Sequence, residues 1–286
     1  MRILRCLLVL NWLACAASTQ AACSRPVKVA ISPMGRNMMV QPDGSVGGLV
    51  PDILKLAAAR TGCQFDFIKV PRVRALRRLE TGDIDLLPGS TRTEERDKSG
   101  MFVHMYNSRA MLIALAGKLP PELGLDEVRK RELSFGAIRG NNYGPEYMRL
   151  LEEAGSLPRL SLVPDPDTAA RMLAAGRFDA VLAGPSVFAE AAQRAGLADK
   201  LAVTAISGMQ PAQVGIYLNR QSLSLADQEQ LRAAFAWLVA RGEYSRLVRQ
   251  YYAEPKWSVL GLDTRLPAAS KPGAPLWADN EPACFI

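Results

Sequence analysis

Short apolar runs alternate along this chain with amphipathic segments, and only a few residues connect them. Val27-Lys28-Val29-Ala30-Ile31 is the first run. A turn at Pro42-Asp43-Gly44 follows, then helical periodicity over residues 50–59, with Leu49, Ile53, Leu56 and Ala57 along one side and Thr61-Gly62 closing it. Residues 65–70 read as a second strand, 73–81 as a short basic helix ended by Gly82, and Ile84-Asp85-Leu86-Leu87 as a third strand. Strand–helix–strand–helix–strand with such short links predicts a parallel sheet covered by helices on both faces, an α/β fold.

The pattern then restarts. Residues 110–116 form a strand, Pro120-Pro121 opens a linker, and 125–131 form a short helix. A strand over 133–138 ends at Arg139-Gly140-Asn141-Asn142-Tyr143-Gly144, and a helix follows over 145–154. Residues 167–175 form another helix, which Asp165 and Asp167 are placed to cap, Asp167 directly before Thr168-Ala169-Ala170, and the strand 178–183 ends at Gly184-Pro185-Ser186. A second, smaller α/β unit is thus expected over roughly residues 112–207. Beyond it come a strand at 214–218 and helices at 225–241 and 243–252. The tail after Pro255 is rich in Pro, Ala and Gly.

The N-terminus reads as an export signal over residues 1–21. Arg2 and Arg5 precede an apolar run from Cys6 to Cys15, too short to span a bilayer comfortably, and small residues follow up to Ala21. No later run is apolar for long enough to cross a membrane. Of five cysteines, Cys6 and Cys15 fall in this signal, leaving Cys23, Cys63 and Cys284. Export implies an oxidising compartment. Cys23 and Cys63 each lie just before a strand, so parallel neighbours would put both at one end of the sheet. That favours a Cys23–Cys63 disulfide with Cys284 left over; a buried free thiol at Cys63 is the alternative. One histidine, His104, and no paired-cysteine spacing suggest neither metal nor cofactor. The formal charge of +7 loses two with Arg2 and Arg5, leaving +5, spread along the chain. Arg77-Arg78 and Arg129-Lys130-Arg131 read as solvated helix faces, and no nucleic-acid-binding motif accompanies them.

Three strand ends carry residues suited to a small anion. In Ser90-Thr91-Arg92-Thr93-Glu94-Glu95-Arg96, the hydroxyls of Ser90, Thr91 and Thr93 precede Arg96, whose guanidinium can fork onto a carboxylate, and backbone N–H groups of the turn can add to the cradle. Thr93 also reads as a plain N-cap, which would make the segment an ordinary helix start. Asn141 and Asn142 lead into a helix N-terminus, where free N–H groups and the dipole favour an anion. Gly184 and Ser186 occupy the third strand end. Ligands of open parallel sheets bind beyond the carboxyl ends of the strands, which is where all three lie.

The chain resembles the bacterial extracellular solute-binding proteins of family 3. The resemblance runs from about Val27 to Tyr252. It rests on Gly48-Leu49-Val50-Pro51-Asp52-Ile53, Leu79-Glu80-Thr81-Gly82-Asp83-Ile84-Asp85, Thr91-Arg92-Thr93-Glu94-Glu95-Arg96, Gly136-Ala137-Ile138-Arg139-Gly140, Arg177-Phe178-Asp179-Ala180-Val181 and Ala240-Arg241-Gly242-Glu243-Tyr244-Ser245-Arg246-Leu247, in the family's order. It implies a type II periplasmic-binding architecture of two Rossmann-like lobes. Lobe 1 would comprise residues 22–110 and 208–286, lobe 2 residues 111–207. Two hinge strands, near 106–110 and 208–212, would let the lobes close on a ligand.

By the same resemblance, Arg96 pairs with a ligand carboxylate, helped by Thr91 and the backbone at Asn141 and Asn142. Two departures stand out. The acidic residue that holds an amino acid's ammonium is replaced by Gly184, and a flanking aromatic is replaced by Arg72 in Pro71-Arg72-Val73-Arg74. Arg72, Arg74 and Arg139 add positive charge. The expected function is therefore a monomeric periplasmic receptor that captures a small anionic or carboxylate-bearing solute and delivers it to a membrane ABC permease. A dehydratase-like enzyme, which would need an acidic side chain in the cleft opposite Arg96, and a sensor or partner protein are the alternatives.

Overall fold

The computed structural model describes residues 22–252 and the short strand 262–263. The signal segment and Cys284 lie outside the described residues. The chain begins with β1 (Val27–Ile31), a small hairpin of β2 (Met39–Val40) and β3 (Val46–Gly47), and α1 (Leu49–Thr61). There follow β4 (Phe65–Lys69), α2 (Arg72–Glu80), β5 (Leu86–Thr91), α3 (Glu94–Ser99) and β6 (Gly100–Ser108). Strands β1, β4 and β5 are parallel neighbours, with Val27 opposite Phe65 and Val29 opposite Leu86. Val27, Val29 and Ile31 are fully buried. A strand covered on both faces reads as a nearly continuous apolar run, and that is why β1 was legible.

The chain crosses to a second sheet after Ser108. Its elements are β7 (Met111–Leu115), β8 (Glu122–Gly124), α4 (Leu125–Lys130), β9 (Phe135–Ile138), α5 (Pro145–Ser156) and β10 (Leu160–Val163). They continue with α6 (Pro166–Ala174), β11 (Ala180–Ala183), α7 (Pro185–Arg194) and β12 (Leu201–Ser207). The chain then returns to the first sheet through β13 (Ala212–Asn219), followed by α8 (Leu225–Ala240), α9 (Glu243–Tyr251) and β14 (Leu262–Asp263). The strand orders are β14-β6-β13-β5-β1-β4 and β10-β9-β11-β7-β12-β8. Among the described residues no helix is long and apolar enough to cross a membrane.

The Cys23–Cys63 disulfide is present, with Cα atoms 4.8 Å apart and a sequence separation of 40. It lies at the amino ends of β1 and β4, as the parallel pairing requires. At the same end Arg25 donates to both oxygens of Asp85, at 2.7 Å each. Asp85 also accepts from the Lys28 N–H and the Ser222 hydroxyl.

The structure differs from the sequence reading in places that matter. Strand β5 runs on through Thr91, so Ser90 and Thr91 are paired strand residues opposite Gly215 and Val214 instead of a turn. The N-cap of α6 is Asp165, whose Oδ1 accepts from the Thr168 N–H at 2.7 Å, and Pro166 takes the first helical position. Asp167 instead pairs with Arg194 at 2.8 Å. Strands β8, β10, β12 and β14 and the β2–β3 hairpin are absent from the sequence reading, which also has β6 only as a hinge strand near 106–110.

Candidate functional site

Six strand ends from the two sheets converge on one crevice. On the first sheet, β1 leads to Ser32, β4 to Arg72 and β5 to Thr91. On the second, β9 leads to Asn141 and Asn142, β10 to Asp165 and β11 to Gly184. The Ser32 hydroxyl donates to the Val70 carbonyl at 2.7 Å and ties the first two ends together.

Arg72 is the central feature. It is the first residue of α2, yet only 8% exposed. Its Nη1 donates to the Pro88 carbonyl at 3.4 Å; its Nη2 donates to the Gly89 carbonyl at 3.2 Å and to Ser90 Oγ at 2.8 Å. Gly89 has φ +62, a left-handed conformation natural to glycine, and it turns its carbonyl within reach of the guanidinium. The buried Nε has no partner, and Arg72 makes no ion pair among the described residues.

Three circumstances work against a charge there. The group is withdrawn from water without a carboxylate. It sits at the positive end of the α2 dipole, in a first turn that holds no acidic residue. It also faces the like charge of Arg96. Burial and then Arg96 push its pKa down to about 9, which still leaves it charged at neutral pH.

Arg96 stands in the first turn of α3. Its backbone N–H is capped by Thr93 Oγ1 at 3.3 Å, and its Nη1 donates to the Thr91 carbonyl at 2.7 Å. It too has no ion-pair partner among the described residues, and burial lowers its pKa. The helix-cap reading of residues 90–96 holds for Thr93, while Arg96 is a half-buried cation tied to the Thr91 carbonyl that lines none of the three crevice cavities. The expected cradle of backbone donors is not free. The Arg92 N–H goes to the Gln213 carbonyl at 2.9 Å and the Thr93 N–H to Tyr217 Oη at 3.0 Å.

The opposing wall is uncharged at its centre. Thr91 Oγ1 donates a very short hydrogen bond to the Asn142 carbonyl, linking the two sheets directly. Asn142 Oδ1 accepts from the Gly144 N–H at 2.8 Å. Buried Tyr143 lies under Gly184: a Cβ added there would come within 3.1 Å of the Tyr143 ring. Burial raises the Tyr143 pKa, keeping its hydroxyl neutral. The ring meets Tyr147 edge-on, with centroids 5.0 Å apart. The place where the resemblance implied an acidic residue is therefore occupied by a neutral phenol. The sequence reading missed Tyr143, because its role comes from the space glycine leaves 41 positions later.

Of the remaining predicted residues, Ser186 is buried in the first turn of α7 and lines the crevice. Arg74 and Arg139 are exposed and line none of the crevice cavities; Arg139 reaches only the Leu162 carbonyl at 3.4 Å.

Around the Thr91–Asn142 contact the crevice divides into three. A space of about 20 Å³ lies between Arg72, Asn142, Tyr143 and Ser186. On one side is a compartment of about 350 Å³, reached by Arg72, Lys69 and Asp165. On the other is an open cavity of about 830 Å³ bordered by Arg92, Glu94, Asp97 and Glu146, onto which the α5 N-terminus opens. Arg92 is already paired with Asp97 at 3.0 Å. No group of three or more metal-ligating side chains occurs among the described residues.

Two open α/β sheets with strand ends turned toward a shared crevice define a two-lobed binding protein. The family model for bacterial extracellular solute-binding proteins, family 3, matches residues 27–254, and the chain belongs to that family. The search of curated proteins gives no match. Among solved structures, the chain is similar to an ancestral arginine-binding protein bound to glutamine, at 18% identity, covering 80% of this chain and 98% of that one with a TM-score of 0.66. It is also similar to a histidine kinase sensor domain with similarity to periplasmic binding proteins, at 19% identity, 80% and 96% coverage and a TM-score of 0.65. A third is the substrate-binding protein of an ABC uptake transporter from Streptococcus pneumoniae with bound histidine, at 16% identity, 82% and 94% coverage and a TM-score of 0.64. At these identities the likeness shows the fold, which is that of type II periplasmic-binding proteins.

Proposed function

We propose that this protein is a monomeric periplasmic receptor, exported by its N-terminal signal, that captures a small anionic solute and hands it to a membrane ABC importer. Residues 22–110 and 208–286 would form one lobe and 111–207 the other, closing on the ligand by bending near residues 106–110 and 208–212. The observation that carries the reading is the pair Arg72 and Arg96. Arg72 is buried and Arg96 half-buried, they repel each other, and neither has a carboxylate partner among the described residues. A bound anion would offset that repulsion, accept the unpartnered N–H of Arg72 and complement the dipole of α2.

The test is thermal stabilisation by a panel of carboxylates, phosphorylated compounds and amino acids. A ligand present at 100 times its Kd adds about 2.7 kcal/mol. Stabilisation by anions is expected; stabilisation by cationic amino acids alone would overturn the reading.

The enzyme alternative required an acid in the crevice. Asp165 borders the compartment beside Arg72, and its Oδ1 is engaged as the cap of α6; Glu94, Asp97 and Glu146 border the open cavity, where Glu146 keeps one buried oxygen unpartnered. The binding reading is favoured because the matching family is one of solute-binding proteins and Asp165 as placed serves the helix.

A further inference from the structure

Resting on that anion-binding reading, we infer that the ligand seat is the compartment of about 350 Å³ at the ends of β1, β4 and β10, and that it takes a compact monocarboxylate with an apolar body and no ammonium group. The volume lies near the lower end of small-ligand pockets, which run about 300–1,000 Å³. That excludes peptides and oligosaccharides.

The walls are apolar. Pro33, Val40 and Pro71 face the compartment from the first sheet's side, and Ile138, Pro164 and Val187 from the second's. Inorganic phosphate or a dicarboxylate would trade its hydration for proline and aliphatic surface without compensation. An apolar body gains from the same surface.

The charge on the walls points the same way. Lys69 and Arg72 are cationic and Asp165 is the one anion. Asp165 already accepts the Thr168 N–H and lies at the positive end of the α6 dipole, which favours its staying there as a cap. Arg72 has five N–H donors, of which three are used. The orphan Nε–H is the donor a carboxylate would engage, after the small adjustment of the side chain that lobe movement permits. The alternative seat nearer Gly184 is closed: Tyr143 fills it, and only about 20 Å³ remains beside it.

The experiment uses matched skeletons, read by calorimetry on the full mature chain. Isocaproate and leucine differ only by the amino group, and succinate and inorganic phosphate report anions without an apolar body. Isocaproate is expected to bind at least tenfold more tightly than leucine, succinate or phosphate. Val40→Trp fills the compartment and should weaken isocaproate at least tenfold, and Pro164→Trp, from the opposite and exposed wall, should do the same should Val40→Trp not fold. Met148→Trp, in the open cavity across the crevice, should leave binding unchanged.

Tighter binding of leucine would assign Asp165 to a ligand ammonium and overturn the inference. Loss of binding in Met148→Trp with retention in both compartment variants would place the seat in the other cavity. Binding of succinate or phosphate alone would leave the anion reading standing and sink this one, whereas binding of no anion at all would sink both.

Discussion

The two ends of the first sheet treat the same residue type in opposite ways. At the amino ends of the strands, Arg25 meets Asp85 through two 2.7 Å hydrogen bonds, and that carboxylate also accepts from Lys28 and Ser222. At the carboxyl ends, Arg72 is more deeply buried than Arg25, and its partners are two carbonyls and one hydroxyl. Charge is neutralised where the sheet is held together and left unneutralised where the crevice opens. The difference teaches that burial of a charge is no guide to its role; what matters is whether the chain itself supplies the counter-charge.

The largest expected effect that sharpens this contrast is at the base. Cys23→Ser removes the clamp across a 40-residue separation and should cost about 2–5 kcal/mol of stability, read by urea denaturation, with ligand affinity intact. Loss of affinity without loss of stability would break the division between the two ends. Next, Arg96→Ala tests whether the anion spans from Arg72 to Arg96: a direct pairing would cost about 1.5–3 kcal/mol, tenfold or more in Kd, measured by calorimetry. The melting temperature of the empty protein should stay nearly unchanged; an unaltered Kd would make Arg96 a helix-start residue only.

A third effect is acid sensitivity. Burial opposes ionisation of Asp85, but Arg25, Ser222 and the Lys28 N–H overcome it and hold the carboxyl below its usual range. The stabilisation is thus present above the unfolded pKa of about 3.9 and is lost as pH falls through it toward the folded value. A melting-temperature profile that flattens below pH ~4 in Asp85→Asn but not in wild type is expected. The smallest effect is Arg74→Ala, exposed on α2, which should change stability by less than about 0.5 kcal/mol and leave binding untouched.

Much of this contrast was legible in the chain. The apolar runs of β1, β4 and β5 with their short helices predicted a parallel sheet, and that geometry put Cys23 and Cys63 at one end. The strands that escaped were those without a continuous apolar run. Leu160 to Val163 in β10 is a short edge strand with one buried residue, and β6 and β12 mix buried with half-buried positions without a regular period.

At the site, Arg72 stood out by its charge and Gly184 by its missing one. Tyr143 and the proline walls did not, since an aromatic or a proline at a strand end carries no local mark of facing a cavity. Of Asp165 and Asp167, both readable as caps, the structure uses Asp165, and Pro166 after it is the usual companion of an N-cap.

The most direct measurement is a paired one on the empty protein: the unfolding free energies of Arg25→Met and Arg72→Met. The first leaves Asp85, 1% exposed, without its cation and should lose about 3 kcal/mol, the low end for a broken buried pair because the Arg25 side chain is 41% exposed. The second removes a buried charge that has no counter-charge and should be neutral within about 1 kcal/mol or stabilising, with anion binding gone. Equal destabilisation by both substitutions would contradict the account, because Arg72 would then be held by the fold and not reserved for a ligand.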